Sequence, residues 1–161
     1  MAIDGLFLYN IQEKLNAYTP CKIGKIQNIS DEEILIHLHT RNEGNQKLVI
    51  NVHSNTNRVY IANFIPGIQP EPSNFVMVLR KQCSQAIVES FEQVGYDRIL
   101  CLHLSCRNEF QDLVKYDLNI ELMGKYANMI LVKDGVIVDA LKRIPVYENA
   151  KRFFTGLREF Y

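Results

Sequence analysis

Glu33-Ile34-Leu35-Ile36-His37-Leu38-His39 alternates, Asn42-Glu43-Gly44-Asn45 interrupts it, and Gln46-Lys47-Leu48-Val49-Ile50-Asn51-Val52 answers it. Successive side chains of a strand point to opposite faces, so Ile34, Ile36 and Leu38 share one side, with Leu35, His37 and His39 on the other. Glycine supplies a positive φ cheaply, which makes 42–45 a hairpin loop. A further strand is expected over 57–62, and together these segments predict an antiparallel meander.

The pattern continues in both directions. Upstream, 21–27 reads as a short strand and Asn28-Ile29-Ser30-Asp31 as a turn. Before them, Leu8, Ile11 and Leu15 recur at helical spacing, Asp4 is placed to cap the first turn, and Tyr18-Thr19-Pro20 ends the helix. Downstream, Pro66, Gly67, Pro70 and Pro72 mark a loop between layers. Ser73 is expected to cap a helix over 74–85 that turns Phe75, Val78, Leu79 and Cys83 inward. Strands follow at 87–94 and 98–104 around Gly95-Tyr96. A long alternation over 113–123 places Val114, Tyr116, Leu118, Ile120 and Leu122 inward. After Gly124-Lys125-Tyr126-Ala127, a hairpin joins 128–132 to 136–141 through Lys133-Asp134-Gly135. Residues 144–161 show no clean period and read as a strap or the start of a connection to a further domain. The order is helix, strands, helix, strands, with nine or ten strands. It predicts an α+β fold, an antiparallel β-sandwich or flattened pseudobarrel with a helix over each open end.

At 161 residues and 47% hydrophobic, the chain can bury a core as one domain. No stretch is long and apolar enough to span a bilayer, so no membrane association is expected, and the start lacks the basic region of a signal peptide. Cys21, Cys83, Cys101 and Cys106 lack zinc-site spacing and read as reduced, buried thiols of a cytoplasmic protein. Eighteen basic residues balance eighteen acidic ones, which predicts weak, salt-sensitive RNA binding by this chain alone. The balance is uneven, since residues 141–161 hold five basic and two acidic residues: Lys142, Arg143, Lys151, Arg152 and Arg158 against Glu148 and Glu159.

No hydrolase elbow, phosphate loop, zinc-protease motif or dinucleotide fingerprint is present, so no enzyme chemistry and no cofactor are expected. His37 and His39 share a strand face, but no third ligand converges on them in the sequence and no metal site is expected. The feature that stands out is Gly95-Tyr96-Asp97-Arg98. The residues alone leave two readings open. One is a surface turn with an ion pair. In the other, Asp97 fixes the backbone while Arg98 presents its rigid donor fork to a phosphate or base edge.

Several segments resemble the amino-terminal domain of the NFACT family: Ile3-Asp4-Gly5-Leu6-Phe7-Leu8, residues 73–82, Gln93-Val94-Gly95-Tyr96-Asp97-Arg98-Ile99, residues 120–132, and Asp139-Ala140-Leu141-Lys142-Arg143. They span nearly the whole chain in order. The resemblance implies a fold like the N-terminal domain of formamidopyrimidine-type DNA glycosylases, within a longer multidomain protein. It implies ribosome-associated quality control, with contacts to transfer RNA on a large ribosomal subunit that holds a stalled peptidyl-transfer RNA. There the protein supports template-free tailing of the nascent chain, with alanine in bacteria. The family's functional Asp and Asp-Arg pair fall on Asp4, Asp97 and Arg98. Arg80, Lys81, Lys125, Lys142 and Arg143 are further candidates for phosphate contacts. Bacterial members also carry a fibronectin-binding label, so a surface adhesin is the alternative reading. The glycosylases' nucleophilic N-terminal proline has no counterpart, since Ala2 and Ile3 follow Met1. Glycosylase chemistry is therefore not expected. Gln82 and Lys125 stand where many relatives carry His and Arg.

Overall fold

The computed structural model describes residues 5–65, 67–95 and 97–143. Asp4, Tyr96, and the segment 144–161 with Lys151, Arg152 and Arg158 lie outside the described residues. The elements run α1 (Gly5–Asn16), β1 (Cys21–Ser30), β2 (Glu33–His39), β3 (Asn45–Asn51), β4 (Arg58–Ala62), α2 (Asn74–Gln82), β5 (Ile87–Gln93), β6 (Ile99–Arg107), β7 (Leu113–Glu121), β8 (Asn128–Lys133) and β9 (Val136–Ala140). A 3-10 turn, Gly124–Tyr126, separates β7 from β8. The fold is α+β with an antiparallel sheet and two helices, as the order of periodic segments predicts. Among the described residues, no helix is long and apolar enough to cross a membrane.

The strands form one nine-stranded sheet in the order β4-β3-β2-β1-β5-β6-β7-β8-β9. The expected division into two sheets is thus absent from the hydrogen bonding, and among the described residues no ladder closes β4 onto β9. Two residue pairs, Cys21↔Val88 and Lys22↔Ile87, make the joint between the halves, extended by a bond from Ile23 N to Ala86 O at 2.8 Å. Side chains from both halves meet in one core, where Ile34, Ile36, Leu48 and Ile50 belong to the same buried cluster as Leu100, Leu102, Leu118 and Ile120. Polar contacts also cross between the halves: Asn57 Nδ2 donates to Gly124 O at 3.2 Å and Lys142 Nζ to Val52 O at 2.6 Å.

The narrow joint also explains how α1 is held. Beyond a register break between Val88 and Ser90, β5 has no strand on its β1 side among the described residues. Its backbone groups are satisfied by side chains of α1. Asn16 both donates to Phe91 O and accepts from Phe91 N, each at 2.8 Å, and Gln12 Oε1 accepts from Gln93 N. A helical step of four residues rises about 6 Å and a strand step of two about 6.6 Å, so Gln12 and Asn16 keep pace with Gln93 and Phe91. The same register carries the N-terminal end of α1 toward the turn after β5.

Three local expectations shift. Strand β1 runs on through Asn28 and Ile29 to Ser30, because Asn28 and Ser30 pair with Ile34 and Glu33, and the turn falls at Asp31-Glu32. Strand β6 continues past Leu104 to Arg107, paired with β7 throughout. Helix α2 ends at Gln82 instead of 85, since Gln85 takes a positive φ of 56°. Ser73 does cap α2, its side chain accepting from Val76 N, a contact worth about 1 kcal/mol in helices. All four cysteines are buried and unpaired. Burial pushes the thiols of Cys21 and Cys83 up to about 11 and about 12.

Candidate functional site

The Gly95–Arg98 turn is built from the backbone outward. Gly95 has φ +56°, a conformation that costs glycine little. Val94 N donates to Ile99 O at 3.0 Å and Asp97 N to Val94 O at 3.1 Å, closing the turn, while Gln93 Nε2 donates to Asp97 O at 3.0 Å. Arg98 O accepts from Leu122 N at 2.8 Å, tying the turn to the end of β7. Asp97 is exposed and Arg98 half-buried. Five contacts of backbone and amide groups, counting that between Gln12 and Gln93, therefore hold Gln93, Val94, Asp97 and Arg98 in place.

The topology gathers several of the sequence candidates around this turn. Strand β5 ends, β6 begins, β7 ends, β8 begins and β9 ends at one edge of their half, as the pairs Gln93↔Leu100, Ile99↔Glu121, Glu121↔Asn128 and Ile130↔Ala140 require. Asp97, Arg98, Lys125, Lys142 and Arg143 all follow or precede strands at that edge. Their electrostatics differ. Lys142 is gripped by Asn128, whose amide bonds both its N–H and its C=O, and its ammonium pairs with Glu32 at 3.0 Å. Arg143 pairs with Asp139 at 3.1 Å. Both cations are thus partly neutralised within the chain, which spacing alone does not reveal. The Lys125 ammonium lies 5.1 Å from the Tyr126 ring centroid.

Arg80 and Lys81 lie elsewhere, exposed on the last turn of α2. Arg80 Nε donates to Ile26 O at 2.8 Å, which plants the guanidinium against β1. It lines a cleft of about 420 Å³ with Gly24, Lys25, Ile26, Gln27 and Ser84. Gly24 matters here because the His39 ring sits over it, and a Cβ would lie 2.3 Å from His39 Nε2. Lys25 is a further cation of this cleft, and the only local signal for it is a strand lysine beside a glycine.

The rings of His37 and His39 meet the side chains of Gln27 and Asn45. The histidine that gathers ionisable partners is His103. Its Nδ1 lies 2.8 Å from Asp117 Oδ1 and its Nε2 2.7 Å from Glu92 Oε1. The bond to Asp117 raises its pKa to about 9 against the opposing effect of burial, with Glu92 adding to the rise. Cys101 lies beside it, Sγ to Nδ1 3.7 Å. Strand register supplies this cluster, since His103 is opposite Asp117 and Cys101 opposite Glu92.

The family description "NFACT N-terminal and middle domains" matches residues 4–158. The Rqc2 homolog RqcH of Bacillus subtilis is 34% identical over 155 residues, covering 94% of this chain and 27% of that protein. Ribosome quality control complex subunit 2 of Saccharomyces cerevisiae is 31% identical over 150 residues, covering 92% of this chain and 13% of that protein. The crystal structure of the N-terminal domain of fibronectin-binding protein PavA from Streptococcus pneumoniae superposes with a TM-score of 0.85 at 32% identity, over 91% of this chain and 56% of that one. The chain therefore spans about a quarter of the Bacillus relative and a smaller share of the yeast one.

Proposed function

The chain belongs to the NFACT family, and on that premise we propose that it is a transfer-RNA-binding and large-subunit-binding module of ribosome-associated quality control, acting in the cytoplasm. Asp97 and Arg98 organise the RNA contact, and Asp4 supports it from the start of the first helix. The observation that carries this reading is the construction of the turn: amide contacts fix the backbone at Val94, Asp97 and Arg98, with Asp97 exposed and Arg98 half-buried beside it. On a backbone already fixed, a guanidinium can donate to a phosphate and a carboxylate accept from a ribose hydroxyl without the cost of ordering a loop. Lys125 extends the surface along the same edge, with Lys142 and Arg143 contributing less because Glu32 and Asp139 already hold them. Lys25, Arg80 and Lys81 form a second cationic stretch for phosphate. The bond-forming step of C-terminal tailing, with alanine, belongs to the ribosome, and the module supplies position and charge.

Replacing Asp97 and Arg98 by Ala in the full-length protein is expected to abolish tailing of a stalled chain and to weaken transfer-RNA binding, with the thermal midpoint unchanged. Normal tailing and binding in a folded variant would sink the assignment. The second reading, fibronectin binding, is favoured by the likeness to the solved PavA domain. Equal-salt binding of the purified full-length protein to fibronectin and to large subunits separates the two, since the proposed module prefers the subunit.

A further inference from the structure

The outward face of β5, β6 and β7 carries a donor set that the proposed RNA surface does not use. Cys101 and His103 are two apart in β6 and share a face, with Asn119 and Asp117 directly opposite them in β7. Ligand atoms of Cys101, His103 and Asp117 all lie within 4.8 Å of one another. Around a tetrahedral zinc ion, with metal–sulfur near 2.3 Å and metal–nitrogen or metal–oxygen near 2.0–2.2 Å, neighbouring donors stand roughly 3.3–3.7 Å apart. The Cys101 Sγ to His103 Nδ1 separation of 3.7 Å fits that spacing. The 2.8 Å from Nδ1 to Asp117 Oδ1 has to open by about half an ångström.

Two independent features point to a ligand here. Asn119 is only 1% exposed, and neither its amide oxygen nor its amide nitrogen has a hydrogen-bond partner. Leaving such groups buried and unsatisfied costs about 1–3 kcal/mol each, and native structures rarely do so without a reason. Its Cβ stands about 4.5–5.5 Å from that of Cys101, as for any directly opposed pair. The other feature is Glu92, which accepts from the far nitrogen of His103 at 2.7 Å, the position of the carboxylate that orients a metal-binding imidazole.

We propose that Cys101 Sγ, His103 Nδ1 and the Asp117 carboxylate bind a zinc-class divalent cation, with a water in the fourth position bonded to Asn119 and with Glu92 orienting His103. A thiolate, an imidazole and a carboxylate form a mixed donor set suited to zinc and unsuited to magnesium or calcium. Binding releases the thiol proton of Cys101 and one imidazolium proton to solvent. Two positive charges leave as two arrive, and the cluster's net charge is unchanged. Side-chain exposures of 34% at His103 and 28% at Asp117 give the ion a way in.

The full chain, stripped with a chelator and dialysed against zinc, is expected to retain one equivalent, and its cobalt(II) form to show a thiolate-to-cobalt charge-transfer band. Asp117→Asn should weaken zinc binding at least tenfold, Glu92→Gln by about 10–100-fold, and His39→Ala not at all. Should Cys101→Ser fail to fold, the cobalt band of the unsubstituted chain still reports on the thiolate. Failure to retain zinc, a cobalt spectrum without the thiolate band, or Asp117→Asn binding as tightly as the parent would each overturn the proposal.

Discussion

His37 and His103 are part-exposed histidines on the two halves of one sheet, and their surroundings push them in opposite directions. Burial, then Lys47, Lys25 and His39, lower the pKa of His37. Asp117 and Glu92 raise that of His103 to about 9. A net charge of zero therefore conceals a separation of sign: the β1–β3 half presents cations around His37, and β5–β7 presents carboxylates around His103. A phosphate ligand is attracted to the face around His37 and repelled by the strand face around His103, while Arg98 lies apart from that face at the strand edge, so total charge is a poor guide to partners for this chain.

The separation depends on the joint between the halves. Because β1 and β5 share only two pairs, Asn16 is the main substitute for the missing ladder at Phe91. Asn16→Ala strands one backbone N–H and one C=O, and is expected to lower unfolding stability by about 2–4 kcal/mol. Urea denaturation checks this, and a loss below about 1 kcal/mol would mean that water replaces the amide. Next in size is reversal of the cationic side. Lys25→Glu with Arg80→Glu should weaken transfer-RNA binding by the full-length protein about tenfold or more and reduce its log–log salt slope by about 2. An unchanged slope would place the RNA elsewhere.

What the sequence makes legible follows from range. The hairpins can be read because their causes are local: Gly44 at φ 67° and the Asp134-Gly135 pair at 51° and 76° sit where the turns demand them. The Ser73 cap and the apolar stripe of α2 are likewise within a few residues of their partners. The Asp97-Arg98 pair is legible as a motif, but the contacts that fix its turn include Gln12 and Leu122, far away in the chain. His103 is illegible for the same reason. Cys101-Leu102-His103 reads as strand filler until register sets Asp117 and Glu92 beside it. The neutralisation of Lys142 needs Glu32, on the other half of the sheet. The single ladder is hidden because the joint that creates it is two pairs long, too short to leave a pattern of its own.

A smaller effect tests the anionic side. Asp117→Asn in chelator-treated protein removes the first cause of the raised His103 pKa, so its titration by NMR should fall from about 9 toward the imidazole's ordinary 6.5. The cost near neutral pH is about 1 kcal/mol, held down because both groups are part-exposed. The sign follows from linkage. A raised folded-state pKa means that His103 stabilises the fold fully below about 6.5, and that this contribution is lost as pH rises through about 9. Metal-free protein should therefore lose stability across that window, and the Asn variant should lose less. Equal slopes would show that the ion pair is not formed in solution.

His37 supplies the smallest effect and the opposite sign. Its depressed pKa means that protonation is disfavoured in the folded state, so its contribution is present above the ordinary 6.5 and is lost as pH falls below it. Lys47→Ala with Lys25→Ala should move the His37 titration upward and leave His103 where it is, since neither lysine contributes to the His103 shift. Burial remains the largest cause at His37, so the double substitution restores only part of the depression. Full restoration would mean that the lysines, and not the enclosure beside Gln27, set the charge of this face. A concerted shift of both histidines would mean that the two halves share one electrostatic field, and the separation of sign across the joint would then be too weak to direct a phosphate ligand.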